Sequence, residues 1–281
     1  MASEFYIGWQ DKSPASFKKA SRRAVVAMAV LVPVLAVLLV VQQRGFSTGV
    51  FEYGNLTTLT GQLIREPVPF LRVRVSNSPA NAPRFERMLL IGFGKHGADS
   101  TLTAWEKKHG LLTGKTLTIR GTRIYYDGHA ALELTEEADA LLTISAPTDA
   151  APTPVPAMES RGEVTLRGEI TDPKCFLGVM KPGDGRPHKS CAVRCISGGI
   201  PPLLWVRGGA GREQGYLLVG PSGEAINAQI LTDVGQNVVI RGRLMQADNW
   251  QILYVDAPVE VISTRSQPAR LDQERAMAMC R

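Results

Sequence analysis

The hydrophobic positions of this chain form one long unbroken run followed by many short alternating ones. The long run extends from Ala24 to Val41, eighteen residues without a charge, and two glutamines extend it before Arg44. Eighteen apolar residues reach the lower limit for a helix that spans a membrane, and a proline inside the run, Pro33, is tolerated in such a helix. The pattern therefore predicts a single transmembrane anchor over residues 24–43.

Basic residues lie mainly on one side of this run. Four of them precede it closely: Lys18, Lys19, Arg22 and Arg23. Only Arg44 follows closely, so the positive-inside rule predicts a cytoplasmic stub at 1–23, with the rest of the chain outside a bacterial inner membrane, in the periplasm. An uncleaved anchor is favoured over a cleaved signal because no Ala-x-Ala-like site follows. The twin-arginine pair also leaves export by the twin-arginine route open.

The short alternating runs lie in two stretches, 45–144 and 161–263, that resemble each other. Three pairs of segments align: Thr58–Leu63 with Thr165–Ile170, Leu89–Gly92 with Leu217–Gly220, and Gly114–Gly121 with Gly235–Gly242. Alternation, β-branched residues and glycine punctuation predict short strands, with bends at Gly61, Gly121, Gly168 and Gly242. Five strands with one helical interlude, clearest at Ser100–His109 with Ser100 as cap, predict a small OB-like barrel.

The predicted fold class is therefore mainly β: a single N-terminal transmembrane helix followed by two OB-like five-stranded barrels in tandem, with a β-sandwich as the competing architecture. A proline- and alanine-rich stretch over 145–160 predicts an extended linker between the two units. Residues 264–281 predict a polar tail, and the role of its cysteine, Cys280, is not decided by the sequence.

The net charge of +6 is concentrated near the anchor. Segments 1–44, 45–144, 145–160, 161–263 and 264–281 carry +4, +1, −2, +1 and +2. Basic residues beside an apolar run orient the helix and contact anionic lipid, whereas each barrel is nearly neutral. This distribution predicts the inner membrane and a membrane-protein complex as partners, and no nucleic acid.

The reactive side chains cluster in the second unit. Cys175, His188, Cys191 and Cys195 follow the spacing Cys-x12-His-x2-Cys-x3-Cys. If 190–195 is helical, the last three share one face, and Cys175 could complete a set of three thiolates and one imidazole for zinc, copper or iron. Met180 could add a thioether, although a core or loop methionine is the more common use.

A disulfide competes with the metal, because the periplasm is oxidising and two of these thiols could pair. The interval from Gly61 to Leu89 spans 28 positions and that from Gly168 to Leu217 spans 49, so the extra residues carry the cluster. Because binding residues are often carried by loops inserted into a scaffold, this insertion favours a functional site over a purely structural disulfide. No Gly-x-Ser-x-Gly, paired-carboxylate or phosphate-loop constellation supports hydrolase or kinase chemistry.

The leading hypothesis is a periplasmic, membrane-anchored accessory or assembly subunit, without catalysis of its own, that binds a metal or handles thiol redox for a membrane redox complex. One alternative is a structural interaction module with a disulfide-stapled barrel. Another is a thiol oxidoreductase or an electron-transfer subunit.

The block from Gly168 to Pro202, about 35 residues with Lys174–Met180 and Gly198–Pro202 around the cluster, resembles one in uncharacterised bacterial membrane-anchored proteins. That resemblance implies no function. An anchor followed by a small barrel is also similar to the haem chaperone of cytochrome c maturation. That family attaches haem through a histidine near the last barrel strand, and this chain has no histidine after His188, so haem binding is not carried over.

Overall fold

The computed structural model describes residues 14–43, 49–76, 78–79, 82–136, 140–145, 155–208, 213–256 and 259–261. It divides into two compact units, Met1–Phe46 and Ser47–Arg281. The predicted tail 264–281 with Cys280, the first part of the predicted stub and most of the predicted linker lie outside the described residues.

The first unit contains one helix, α1, which extends from Ala15 to Gln43 with Pro33 inside it. Its apolar side chains are exposed, as for Val32 at 62%, and the helix is long and apolar enough to cross a membrane. A helix of 29 residues is about 43 Å long and exceeds the hydrocarbon thickness of a bilayer. The predicted anchor at 24–43 thus lies within a helix that begins nine residues earlier.

In the part of the chain that the structure describes, the first barrel contains seven strands and an 11-residue helix. These are β1 (Val50–Phe51), β2 (Thr57–Ile64), β3 (Phe70–Arg74), β4 (Phe85–Ile91), α2 (Asp99–His109), β5 (Thr116–Tyr126), β6 (His129–Leu134) and β7 (Leu141–Ser145). Strands β5, β2, β3, β4 and β6 are neighbours in that order, and pairing of β6 with β5 closes the barrel. The β4–β6 pair is parallel. Helix α2 begins after Ala98 without a side-chain cap, so the predicted cap at Ser100 is wrong.

The second barrel repeats this topology. It contains β8 (Glu159–Thr171), α3 (Pro173–Phe176), α4 (Gly185–Ser197), β9 (Leu203–Arg207), β10 (Glu213–Val219), a 3-10 turn (Leu231–Asp233), β11 (Asn237–Ala247), β12 (Trp250–Val255) and β13 (Glu260–Val261). Strands β11, β8, β9, β10 and β12 close through the β12–β11 pair, and β10–β12 is parallel. Two closed five-stranded barrels confirm the predicted fold class and rule out the sandwich.

The strand registers confirm the sequence repeat. In the first barrel Thr58 pairs with Arg120 and Gly61 with Leu117. In the second, Thr165 pairs with Arg241 and Gly168 with Val238. The aligned residues therefore occupy equivalent places in the two barrels.

The predicted bends at glycines have a steric cause. A β-carbon added at Gly61 would lie 2.5 Å from the carbonyl oxygen of Arg72, and one added at Gly168 would collide with that of Trp205. Only glycine allows the neighbouring strand to pass this closely. Strand β2 of the first barrel and strand β8 of the second therefore curl across their neighbours at equivalent points.

A hydrophobic cluster joins the two barrels. Phe70 and Leu89 of the first barrel belong to the same buried cluster as Phe176, Leu203 and Trp250 of the second. Each barrel also has a separate core of its own. The barrels are thus two sheets within one compact unit, and the insertion with α3 and α4 lies against the first barrel.

Candidate metal centre

The segment that carries the first cysteine is shaped by a capped turn. Asp172 follows the last residue of β8, and its Oδ1 accepts a hydrogen bond from the Cys175 N–H at 3.0 Å. Pro173 occupies the first helical position, where its missing N–H costs nothing. This cap starts α3 and buries Cys175, which is 2% exposed.

Helix α4 brings the other predicted ligands onto one side. It begins at Gly185, whose N–H donates to Glu169 Oε1 at 2.5 Å, and it ends at Gly198, whose N–H bonds to the Arg194 carbonyl. The helix is longer than the predicted 190–195 and includes His188 and Cys191 one turn apart.

Three of the four predicted ligands converge. Cys175, His188 and Cys191 each offer one ligand atom, and these atoms all lie within 4.8 Å of one another. Ligands on a tetrahedral ion with bonds of about 2.3 Å stand about 3.8 Å apart, so a contraction of about 1 Å completes the geometry. A Cys175/His188/Cys191 group that could hold a metal ion is therefore present.

Cys195 is not a member of this group. Its side chain is 1% exposed and lies in the hydrophobic cluster that both barrels share. The thiols of Cys175, Cys191 and Cys195 are all free, so the part of the chain that the structure describes contains no disulfide among them.

A buried carboxylate orients the histidine. His188 is 1% exposed, and its Nε2 lies 2.9 Å from Oδ2 of the fully buried Asp172. A carboxylate accepts hydrogen bonds, so Nε2 carries the proton in the neutral imidazole and Nδ1 carries the lone pair. Histidines that bind metals are commonly held in this way by a carboxylate on the other ring nitrogen.

The buried thiols need a cation to ionise. Burial raises the pKa of the Cys175 thiol, and the nearby Asp172 carboxylate raises it further. The pKa of Cys195 is raised for the same two reasons. A bound metal ion would displace the thiol proton of Cys175, so binding and proton release are coupled there.

The first barrel closes the remaining side of the site. Lys95, in the loop between β4 and α2, donates from Nζ to Cys191 Sγ at 3.1 Å, and this bond raises the pKa of Lys95. The Gly97 N–H donates to the Gly198 carbonyl at the end of α4, at 2.9 Å.

A buried ion pair next to Cys175 also joins the two barrels. Lys174 Nζ lies 2.5 Å from Glu133 Oε1 of β6 and donates to the Gly94 carbonyl at 2.6 Å. Lys174 and Glu133 are 7% and 8% exposed. Sequence reasoning missed this pair and Lys95, because nothing in the local pattern connects residues of different barrels. It also missed Asp172, although the Asp-Pro start of a helix just before Cys175 was a usable signal.

Comparison with known proteins adds little. No family model matches the chain, and no curated protein matches it. A solved structure of a deletion mutant of the single-stranded DNA-binding protein from Thermus aquaticus is similar over 79% of this chain and 92% of that chain, with 13% sequence identity and a TM-score of 0.21.

This match overturns the expectation that nucleic acid is excluded as a partner. The expectation was wrong because it was drawn from the net charge of each barrel, which is a sum and does not describe how basic side chains are distributed over the surface. A TM-score of 0.21 does not support nucleic-acid binding by this chain itself. Nucleic acid is therefore no longer excluded as a partner, and no binding is inferred.

Proposed function

We propose that this chain is a membrane-anchored accessory or assembly subunit that binds a thiophilic metal ion in the insertion of its second barrel and serves a membrane redox complex on the periplasmic face. The convergence of Cys175, His188 and Cys191 in a mostly buried place carries the proposal.

The buried carboxylate supports metal binding over plain packing. Asp172 is 0% exposed, and taking a carboxylate out of water costs several kcal/mol unless it is well paired. One of its oxygens caps α3, and the other holds the imidazole. A cation beside His188 would offset the burial of this charge, whereas a core of neutral thiols would not.

The exposure of the ligands supports a role in holding or passing on the ion. Cys175 and His188 are buried, and Cys191 is half-buried beside Lys95. An ion would thus be shielded on most sides and reachable from the Cys191 side. Metal exchange with a partner needs a side from which the partner can reach the ion.

Metal analysis of the full chain tests the proposal. The chain, purified in detergent, should retain about one equivalent of metal by mass spectrometry, and His188→Ala and Cys191→Ser should lose it. Cys195→Ala is the matched control, because this buried thiol lies outside the group, and it should retain the metal.

Thiol counting under denaturing conditions covers the competing hypothesis. After the metal is removed, three reactive thiols at positions 175, 191 and 195 are expected in addition to Cys280, the fourth cysteine of the sequence. A Cys175–Cys191 disulfide in protein purified without reductant, with no metal retained, would overturn the proposal and favour a stapled barrel.

The location is tested separately with reporter fusions. The basic flank of α1 predicts that alkaline phosphatase joined after Gly54 is active, since this enzyme folds only outside the cytoplasm. Activity of a cytoplasmic reporter at the same position would refute the periplasmic placement and leave the metal site untouched.

A further inference from the structure

We infer that Met180 supplies a thioether sulfur as a fourth ligand and that the site selects copper in its monovalent state over zinc. This inference rests on the proposed metal binding and names the ion. It starts from one contact: His188 Nδ1 lies 3.3 Å from Met180 Sδ.

The orientation of the His188 ring gives this contact its meaning. Nε2 faces the Asp172 carboxylate, so Nδ1, which faces Met180, is the nitrogen whose lone pair is directed at a metal when the ring binds one. A thioether sulfur also presents lone pairs and has no proton to donate. Two such atoms face each other favourably when a cation lies between them. Nitrogen and sulfur ligands at about 2.0 and 2.3 Å from a tetrahedral ion stand about 3.5 Å apart, close to the observed 3.3 Å.

The loop that carries Met180 is held in place. Thr171 Oγ1, which is fully buried, donates to the Gly183 carbonyl at 2.9 Å. Gly183 also packs so closely on the Cys175 carbonyl that a β-carbon would lie 2.5 Å from its oxygen. The loop between α3 and α4 is therefore folded back onto α3, and this fold holds the Met180 sulfur beside Nδ1 of His188.

The chemistry of the four donors favours copper(I). Zinc sites in proteins are built from thiolate, imidazole and carboxylate ligands, and a thioether adds little to them. Thiolate and thioether sulfur are soft ligands that suit the Cu(I) ion. Affinity for divalent ions alone would not decide between metals, so the sulfur-rich donor set is the selective element.

The surroundings of the ligands are largely apolar. Cys191 and Val179 pack against the hydrophobic cluster that contains Phe176 and Cys195. An apolar shell around the ligands also limits the access of water to the ion.

Competition titrations on the full chain in detergent test this inference. Cu(I) is titrated against a chromogenic Cu(I) chelator without oxygen, and Zn(II) against a zinc indicator, for the wild type and for Met180→Leu. The substitution removes the sulfur and keeps the volume. We expect Cu(I) affinity to fall about tenfold or more, the scale on which even outer partners of a metal site act, and Zn(II) affinity to change less than about twofold.

Met245→Leu is the matched control, because Met245 is a half-buried methionine on β11 that packs on the shared cluster and lies outside the group. It should bind both ions as the wild type does. X-ray absorption of the copper-loaded chain should show three sulfur ligands in the wild type and two in Met180→Leu.

The outcomes separate this inference from the proposed function. Metal binding that prefers zinc, or a Cu(I) affinity that Met180→Leu leaves unchanged, overturns the inference alone. Failure of the wild type to bind either ion overturns the proposed function and this inference with it.

Discussion

Replacing Trp250 by alanine tests whether the two barrels unfold as one. Trp250 begins β12 and is fully buried. Its Nε1 donates to the Arg87 carbonyl of the first barrel at 2.9 Å, and its ring centroid lies 6.1 Å from that of Phe70 and 4.8 Å from that of His129. This one side chain of the second barrel therefore packs largely on the first.

The expected loss of stability follows from these contacts. Removing a buried tryptophan side chain costs about 3–5 kcal/mol, and leaving a buried carbonyl without its donor adds about 1–3 kcal/mol. A loss of about 4–8 kcal/mol is a large part of the free energy of unfolding of an ordinary domain. Trp250→Phe keeps most of the ring and should lose only about 1–3 kcal/mol, mainly for the unpaired carbonyl.

Urea unfolding of the full chain in detergent, followed by hydrogen exchange with mass spectrometry, provides the assay. Peptides from β2 and β5 report on the first barrel, and peptides from β8 and β11 report on the second. Both sets should lose protection at the same, lower urea concentration in Trp250→Ala. Leu142→Ala, on β7 with 44% of the side chain exposed, should change stability by less than about 0.5 kcal/mol.

The reasoning is refuted if the first-barrel peptides keep their wild-type midpoint in Trp250→Ala while the second-barrel peptides shift. Two separate unfolding transitions in the wild type would refute it as well, since the shared cluster would then not couple the barrels.

Three further predictions follow from single contacts. Asp172→Asn keeps an oxygen that accepts from the Cys175 N–H but removes the charge that holds His188. The dissociation constant for the metal, measured by competition with a chelator, should therefore rise about 10–100-fold. An unchanged constant would show that Asp172 does not support the site. Burial lowers the pKa of His129 below its usual 6.5, so the folded state binds this proton less well than the unfolded chain and stability is lost as the pH falls below 6.5. Urea midpoints at pH 5 and pH 8 should therefore differ less in His129→Gln, and an equal difference would contradict this. Gly168→Ala forces a β-carbon against a backbone carbonyl and should lower the free energy of unfolding by about 1–3 kcal/mol. Gly54→Ala, which has open space but a φ of +83°, should lose only about 1–2 kcal/mol, and the order of the two thermal midpoints checks the argument.

The barrels could be predicted because the information is local and repeated. Strand closure depends on where a strand bends, and the bends need glycine, so Gly61 and Gly168 were visible in the alignment before any strand was paired. The 28-to-49 difference in interval likewise located the insertion. Pairing of Thr58 with Arg120 then reappears as Thr165 with Arg241, because the same bend imposes the same register.

The site was only partly predictable. His188 and Cys191 are one helical turn apart, so their shared face follows from the sequence. Cys195 lies one turn further, and the structure buries it in the shared cluster, so that its sulfur is not part of the group whose ligand atoms all lie within 4.8 Å of one another. The burial of Cys195 depends on how the first barrel packs on α4, and this packing cannot be predicted from the local sequence pattern. Lys95 contacts Cys191 across 96 positions for the same reason.

The contact of Lys174 with Glu133 and with the Gly94 carbonyl has a consequence for how the repeat is understood. The two copies share one topology but have different roles at the site. The second copy holds the candidate ligands, and the first, which lacks them, holds the neighbouring lysine and so fixes the helix on which Cys175 stands. A substitution in the first barrel, such as Glu133→Gln, would thus change how well the second barrel retains a metal ion. A truncated chain that contains only the second barrel would keep every candidate ligand but lose the contacts from Glu133 and Gly94 that hold α3 in place.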